Sequence, residues 1–166
     1  MASSKKHLAG HLRNFVFGVE DSIVSTVGLV SGIAIAGLPK TEILLTGAVL
    51  IFVEAFSMGA GSFLSERSAE EFMEEEGMSS AYSLENGAIM FFSYFVSGFI
   101  PLFPYLITDV ISAFKLSVGL SLLSLLALGI ISAKIFKTNM LKSGIRMFFI
   151  GGIAIGIGIL VGQLIG

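Results

Sequence analysis

The chain has 166 residues and a net charge of −2; 54% of its residues are hydrophobic and only 13% are charged. That charged fraction is about half the ~25% usual in soluble domains, and the mean hydropathy is +0.92. So few and so clustered charges cannot clothe a soluble domain of this size, and without cysteine the chain is no disulfide-stapled secreted scaffold. The composition is that of an integral membrane protein. The small net charge hides a division: residues 65–86 hold seven Glu and one Arg, a local sum of −6, which leaves +4 for the remainder.

A spanning helix needs roughly 20 mainly apolar residues, and lipid tolerates no unpaired backbone amides. Five stretches qualify, at about 15–38, 42–65, 86–108, 111–133 and 145–166. Ahead of the first, residues 1–14 read as an amphipathic segment at the membrane surface. Residues 4–14 are expected to form a short interfacial helix with Leu8 and Leu12 one turn apart. The first span is too long for a signal-peptide core and contains Glu20 and Asp21, so it reads as a retained helix. Leu38-Pro39-Lys40 makes a tight connection to the second span. Residues 66–85 form an acidic extension and loop, and residues 86–166 carry the last three spans. Pro101 and Pro104 fall near the end of the third span, where a kink or early stop is tolerable, and Asp109 marks the next connection. Lys and Arg favour cytoplasmic loops, and eight of the ten lie on the side of the N-terminus. The N-terminus and the acidic loop are therefore expected in the cytoplasm and the C-terminus outside.

Glu20, Asp21 and Glu54 are the informative residues. An ionised carboxylate inside a bilayer costs about 2.5–3.5 kcal/mol or more. Glu54 sits near the middle of the second span, and Asp21 lies roughly two turns inside the first. No Lys or Arg matches their depth. Each acid must be protonated, face water, or bind a cation. Asp21 heads a stripe of small and polar residues, Ser25, Gly28 and Gly32, which suits close helix approach or a narrow wet path. Glu54 and Met58, four residues apart, share a helix face that continues through Gly61 and Ser65. Carboxylate oxygen with thioether sulfur suits a first-row divalent ion better than Ca²⁺. Blander readings stand beside these. Asp21 can be a hydrogen-bonded neutral acid, Glu20 can snorkel to the interface, and Met58 can simply pack.

Beyond the second span, residues 66–76 contain no helix breaker, so the helix is expected to extend and end near Gly77. Glu66, Glu70 and Glu74 form one ridge, Glu71 and Glu75 another, and like charges at this spacing repel. A bound cation, or the basic fourth loop on the same side, would relieve the repulsion. The ridges read either as a solvated charge run or as a cation-collecting surface to which Met73 and Met78 add softer donors. His7 and His11 are spaced like a helical metal pair but lack a third ligand. Gly152, Gly156, Gly158, Gly162 and Gly166 permit close packing of the last span, within one subunit or between two. No phosphate-binding loop, nucleophile–His–acid set or nucleic-acid face stands out, and the chain is not expected to be an enzyme.

Two segments carry a family resemblance. Phe17-Gly18-Val19-Glu20-Asp21-Ser22-Ile23-Val24-Ser25-Thr26 resembles the first-helix motif of the vacuolar iron transporter family. Ala55-Phe56-Ser57-Met58-Gly59-Ala60-Gly61-Ser62-Phe63-Leu64-Ser65-Glu66-Arg67-Ser68 resembles its second-helix motif, built on Ser-Met-x-x-Gly. The resemblance implies an all-α membrane protein of five transmembrane helices. It further implies a homodimer with the transport path at the two-fold axis, in a prokaryotic plasma membrane. The implied activity is proton-coupled export of Fe²⁺ or Mn²⁺, with Zn²⁺ and Co²⁺ as further candidates, and no permanently bound cofactor. By position, Asp21 and Met58 match the family's intramembrane metal-handling pair, and Glu20, Ser25 and Ser57 are placed along the path. This chain has Ser22 where the family usually has Gly, and Ser62-Phe63 where it commonly has Glu followed by an aromatic residue. Glu54, two turns upstream, is expected to supply the missing carboxylate. The family's cytoplasmic metal-binding domain is several helices long; this loop is about twenty residues. Two other classes fit the same residues: a passive cation channel lined by the acids, and a non-transporting membrane protein whose acidic loop binds a cytosolic partner.

Overall fold

The computed structural model describes residues 2–72 and 80–166, all in five helices and their connections. They are α1 (Ala2–Ile35), α2 (Lys40–Phe72), α3 (Ser80–Ile107), α4 (Val110–Ile135) and α5 (Met140–Ile165). All five are long and apolar enough to cross a membrane. The expected interfacial helix is not a separate element: its residues run without a break into the first span as α1. Nothing in residues 2–14 breaks a helix except the single Gly10, which α1 tolerates. At 33 residues, α2 is roughly 50 Å long at 1.5 Å per residue, well beyond a ~30 Å hydrocarbon core. Its acidic end through Phe72 therefore projects past the span, as expected. Met73, Glu74, Glu75, Gly77 and Met78 lie outside the described residues. Residues 80–85, read from sequence as loop, form the first turns of α3.

Local chemistry sets the connections. Ile33 O accepts from Leu38 N at 3.3 Å, and Gly37 takes a left-handed φ of 78° that a residue with Cβ adopts poorly. Ala133 O accepts from Thr138 N at 2.8 Å in the same kind of closure, with Lys137 at φ 54°. The α4 helix is capped by Asp109, which accepts from Ser112 N at 3.0 Å; α5 is capped by Asn139, which accepts from Lys142 N at 2.9 Å. Lys40 Nζ donates to the carbonyls of Leu106 (3.3 Å) and Thr108 (3.0 Å), placing a cation where α3 ends in unpaired acceptors. Pro101 and Pro104 do not stop α3, which continues to Ile107. Ser117 on α4 donates to the Pro101 carbonyl at 2.6 Å.

The helices alternate in direction. The start of α1, the end of α2, the start of α3 and the α4–α5 connection share one end, here the N-terminal end of the bundle. Helix α1 is central, packing on α3 and α5, lightly on α2, and also on α4. Backbones meet where glycines face each other. A Cβ on Gly158 or Gly162 would run into the carbonyl oxygen of Gly28 or Gly32, and a Cβ on Gly32 would lie 2.6 Å from Gly158 O. The small-residue stripe of α1 and part of the glycine series of α5 are thus one close contact within the subunit. Gly152 and Gly156 face open space. The apolar core of Val30, Ile43, Ile51, Leu102, Tyr105 and Ala113 sits toward the opposite end.

Candidate functional site

Three helices bring the polar mid-span residues together. Asp21 from α1 and Glu54 from α2 are half-buried and lie within electrostatic reach of each other. Both charges also act on the hydroxyl of Tyr94 from α3. That hydroxyl shares a 2.8 Å hydrogen bond with Ser25, one turn along α1 from Asp21. Ser22 ties the same helices by donating to Tyr94 O at 2.6 Å. Tyr94 is completely buried. Glu20 is half-buried on a neighbouring face of α1, still near enough to feel the Asp21 charge.

These acids stand between two cavities. Toward the N-terminal end, a cleft of about 500 Å³ is lined by Arg13, Asn14 and Phe17 of α1, by Ser57, Met58, Gly61, Ser62, Ser65 and Glu66 of α2, and by Met90 of α3. Toward the opposite end, a groove of about 660 Å³ runs along Val24, Ser25, Gly28 and Gly32 of α1, past Leu50 of α2, to Ala154, Gly158 and Val161 of α5. Asp21 lies one turn from Phe17 in the first cavity and one turn from Ser25 in the second. Glu54 likewise separates Met58 from Leu50. The first cavity offers amide, hydroxyl and thioether donors; the second is almost wholly apolar. Met58, Gly61 and Ser65 share the cleft face, as their spacing predicts, and Ser57 joins them. Among the described residues, no three His, Cys, Asp or Glu side chains gather as a metal cluster. One copy of the chain therefore offers Asp21 and Glu54 at this depth, with Glu20 on a neighbouring face of α1.

The acids at the end of α2 have protein partners. Glu66 pairs with Arg13 at 2.9 Å, and Glu71 with Arg67 at 3.0 Å one turn away. Glu70 is buried and accepts from Ser83 Oγ at 2.7 Å. The charge relief for Glu66 thus comes from the start of α1, and any cation gathered here has to compete with these contacts. The rings of His7 and His11 stack on Tyr82, with centroids 4.4 and 5.4 Å away, and His11 Nε2 lies 3.4 Å from Glu85 Oε2.

Four residues near the site escaped the sequence reading. Tyr94, Met90, Asn14 and Asn86 sit in or beside spans that look merely apolar. Asn14 Nδ2 donates to Asn86 Oδ1 at 2.8 Å and to Ser62 Oγ at 3.3 Å, joining α1, α3 and α2. A usable signal was present: a phenol or amide at hydrocarbon depth needs a hydrogen-bond partner, so each implies a polar neighbour on another helix.

The family model described as the VIT family matches residues 12–85 and 71–163. A 76-residue stretch, 46% of the chain, is 29% identical to "Vacuolar iron transporter" of Plasmodium berghei (strain Anka). A 76-residue stretch is 30% identical to the protein of that name in Toxoplasma gondii (strain ATCC 50861 / VEG), and one is 29% identical to that of Plasmodium falciparum (isolate 3D7). The match spans only 28%, 25% and 28% of those three relatives' own lengths.

Proposed function

The chain belongs to the VIT family, and from that premise we propose that it exports a divalent transition-metal ion, Fe²⁺ or Mn²⁺, from the cytoplasm in exchange for protons. The observation that carries the reading is that Asp21 and Glu54, both half-buried, lie on α1 and α2 one turn from the lining of a polar cleft on one side and of an apolar groove on the other. Neither forms a salt bridge among the described residues. Two acids at this depth without basic mates repel each other, and a dication between them removes that repulsion. The names of the three relatives support iron as cargo.

In this reading the N-terminal end of the bundle faces the cytoplasm, in keeping with the distribution of Lys and Arg. A metal ion enters the cleft past Asn14, Ser62 and Ser57, and meets the Met58 thioether one turn before Glu54. Carboxylate oxygens and one sulfur then replace part of its water shell. Protons arriving from the far side compete for the same oxygens, and the ion leaves along the mainly apolar groove, whose walls offer it little beyond the Ser25 hydroxyl. A second copy of the chain, related by a two-fold axis, doubles the carboxylates and thioethers and completes the coordination. Glu66, Glu70 and Glu71 attract the ion to the cleft.

The test is Asp21→Asn in proteoliposomes with a pH dye inside and Fe²⁺ or Mn²⁺ outside. Wild type moves protons against metal, and the variant loses this flux at least tenfold. Unchanged flux in the variant sinks the mechanism. Metal flux in wild type with no pH response assigns a passive channel instead.

A further inference from the structure

The cleft that reaches Phe17 and Met58, each one turn from Asp21 and Glu54, is bridged at its mouth. Arg13 projects from α1 and Glu66 from α2, both line the cleft, and their side chains meet at 2.9 Å. One layer deeper, Asn14 donates to Ser62 across the same two helices at 3.3 Å. Below that layer lie Phe17 and Met58. Elsewhere α1 leans mainly on α3 and α5, so these two contacts are the cross-links at the cleft.

We propose that the Arg13–Glu66 pair is a gate over this cleft, opened when a divalent cation takes the Glu66 carboxylate from the Arg13 guanidinium. The pair is poorly suited to be a structural staple. The Arg13 side chain is 69% exposed and that of Glu66 is 19% exposed. The guanidinium end of the pair therefore stands in water, which competes for it, and two long side chains must be held still, so the pair contributes little. A weak pair opens readily, which a gate requires. Its chemistry also discriminates: the guanidinium is a tethered monovalent cation that is always charged. A free monovalent ion gains nothing by replacing it, whereas a dication brings twice the charge to the same carboxylate. Arg13 thereby sets which ions reach Ser62 and Met58, and keeps the mouth neutral when none is bound. The identity of the opening ion rests on the transport reading above; the gating contact itself does not.

The natural chain contains no cysteine, so a single Ser62→Cys reports on the cleft. Its reaction with the neutral reagent N-ethylmaleimide is timed in liposomes holding the full chain, with Leu8→Cys, exposed outside the cleft, as control. Adding Arg13→Gln is expected to speed labelling of Ser62→Cys about two- to fivefold, the population shift a surface ion pair sustains, and to leave the control unchanged. The exchanged pair Arg13→Glu with Glu66→Arg restores the slow rate. Equal rates with and without Arg13, or fast labelling that the exchange does not slow, overturns the gate. In parallel, loss of the free Mn²⁺ spin signal measures metal binding: Arg13→Gln tightens it and the exchanged pair abolishes the gain. Mn²⁺ affinity unchanged in Arg13→Gln overturns the competition between ion and guanidinium. If the labelling pattern holds while wild type moves no metal, the transport reading fails and the gate stands.

Discussion

At the end of the bundle that holds Leu38 and Gly166, α1 and α5 meet glycine to glycine beside an apolar core. At the other end, α1 meets α2 and α3 through an amide pair, hydroxyls and the Arg13–Glu66 ion pair around a cleft. The difference is one of tolerance. Backbones pressed together through Gly28, Gly32, Gly158 and Gly162 leave no room for a methyl group, so that contact is rigid by sterics. Hydrogen-bonded side chains across a cleft can exchange partners with water or an ion at small net change in free energy.

The contrast can be broken most sharply at the glycine contact. Gly158→Ala puts a methyl group against the Gly28 carbonyl and is expected to lower stability by about 2–3 kcal/mol, whereas Gly152→Ala, facing open space, changes it by less than about 0.5 kcal/mol. Thermal unfolding in detergent measures both; equal effects would show that the α1–α5 contact is not the rigid element. A gentler probe is Tyr94→Phe, which removes the hydroxyl shared with Ser25 while keeping the ring. Interhelical hydrogen bonds in membranes average about 0.6 kcal/mol. The variant should lose about that much, and Ser25→Ala should add little to it in a double-mutant cycle. A full additive loss would mean that the two hydroxyls act independently.

The smallest effect belongs to the rim. Asp109 lies between spans, and the Ser112 backbone N–H, helped by the Ser112 hydroxyl, holds its carboxyl below the usual carboxylate range. A lowered folded-state pKa adds stability above the unfolded value of about 3.9 and withdraws it as pH falls through the folded value. Melting midpoints of wild type and Asp109→Asn should therefore differ at pH 6, begin to converge below about pH 3.9 and meet only beneath the lowered folded-state value. A constant offset across that range would assign the cap no titrating role.

Much of this was legible because hydrocarbon is an unforgiving solvent. Five apolar runs of sufficient length had to become five helices, and Pro39 and Asp109 punctuate them by mechanisms that act within a few residues. Asp21 and Glu54 stand out for the same reason, since carboxylates at that depth conflict with their surroundings residue by residue, and Met58 stands out only through the helix face it shares with Glu54. The start of α3 is not legible because residues 80–85 mix Ser and Glu with Ala81, Tyr82 and Leu84, whereas in the fold Ser83 donates to Glu70 of α2 and Tyr82 lies against Gly10 of α1. The partner of Glu66 could not be read either. The fourth loop and the start of α1 both carry positive charge on the correct side, and only the folded chain brings Arg13 within 2.9 Å.

The sequence by itself determined the class of protein, the number of spans and which acids lie at hydrocarbon depth, since length, hydropathy and the cost of burying charge are properties of single segments. Tertiary structure alone decided that Gly158 and Gly162 meet Gly28 and Gly32 inside one subunit, that Tyr94 and Ser25 join Asp21 and Glu54, and that Arg13 closes on Glu66. Those outcomes depend on how the helices rotate and cross, and small residues or lone polar groups permit several such arrangements until the whole bundle selects one.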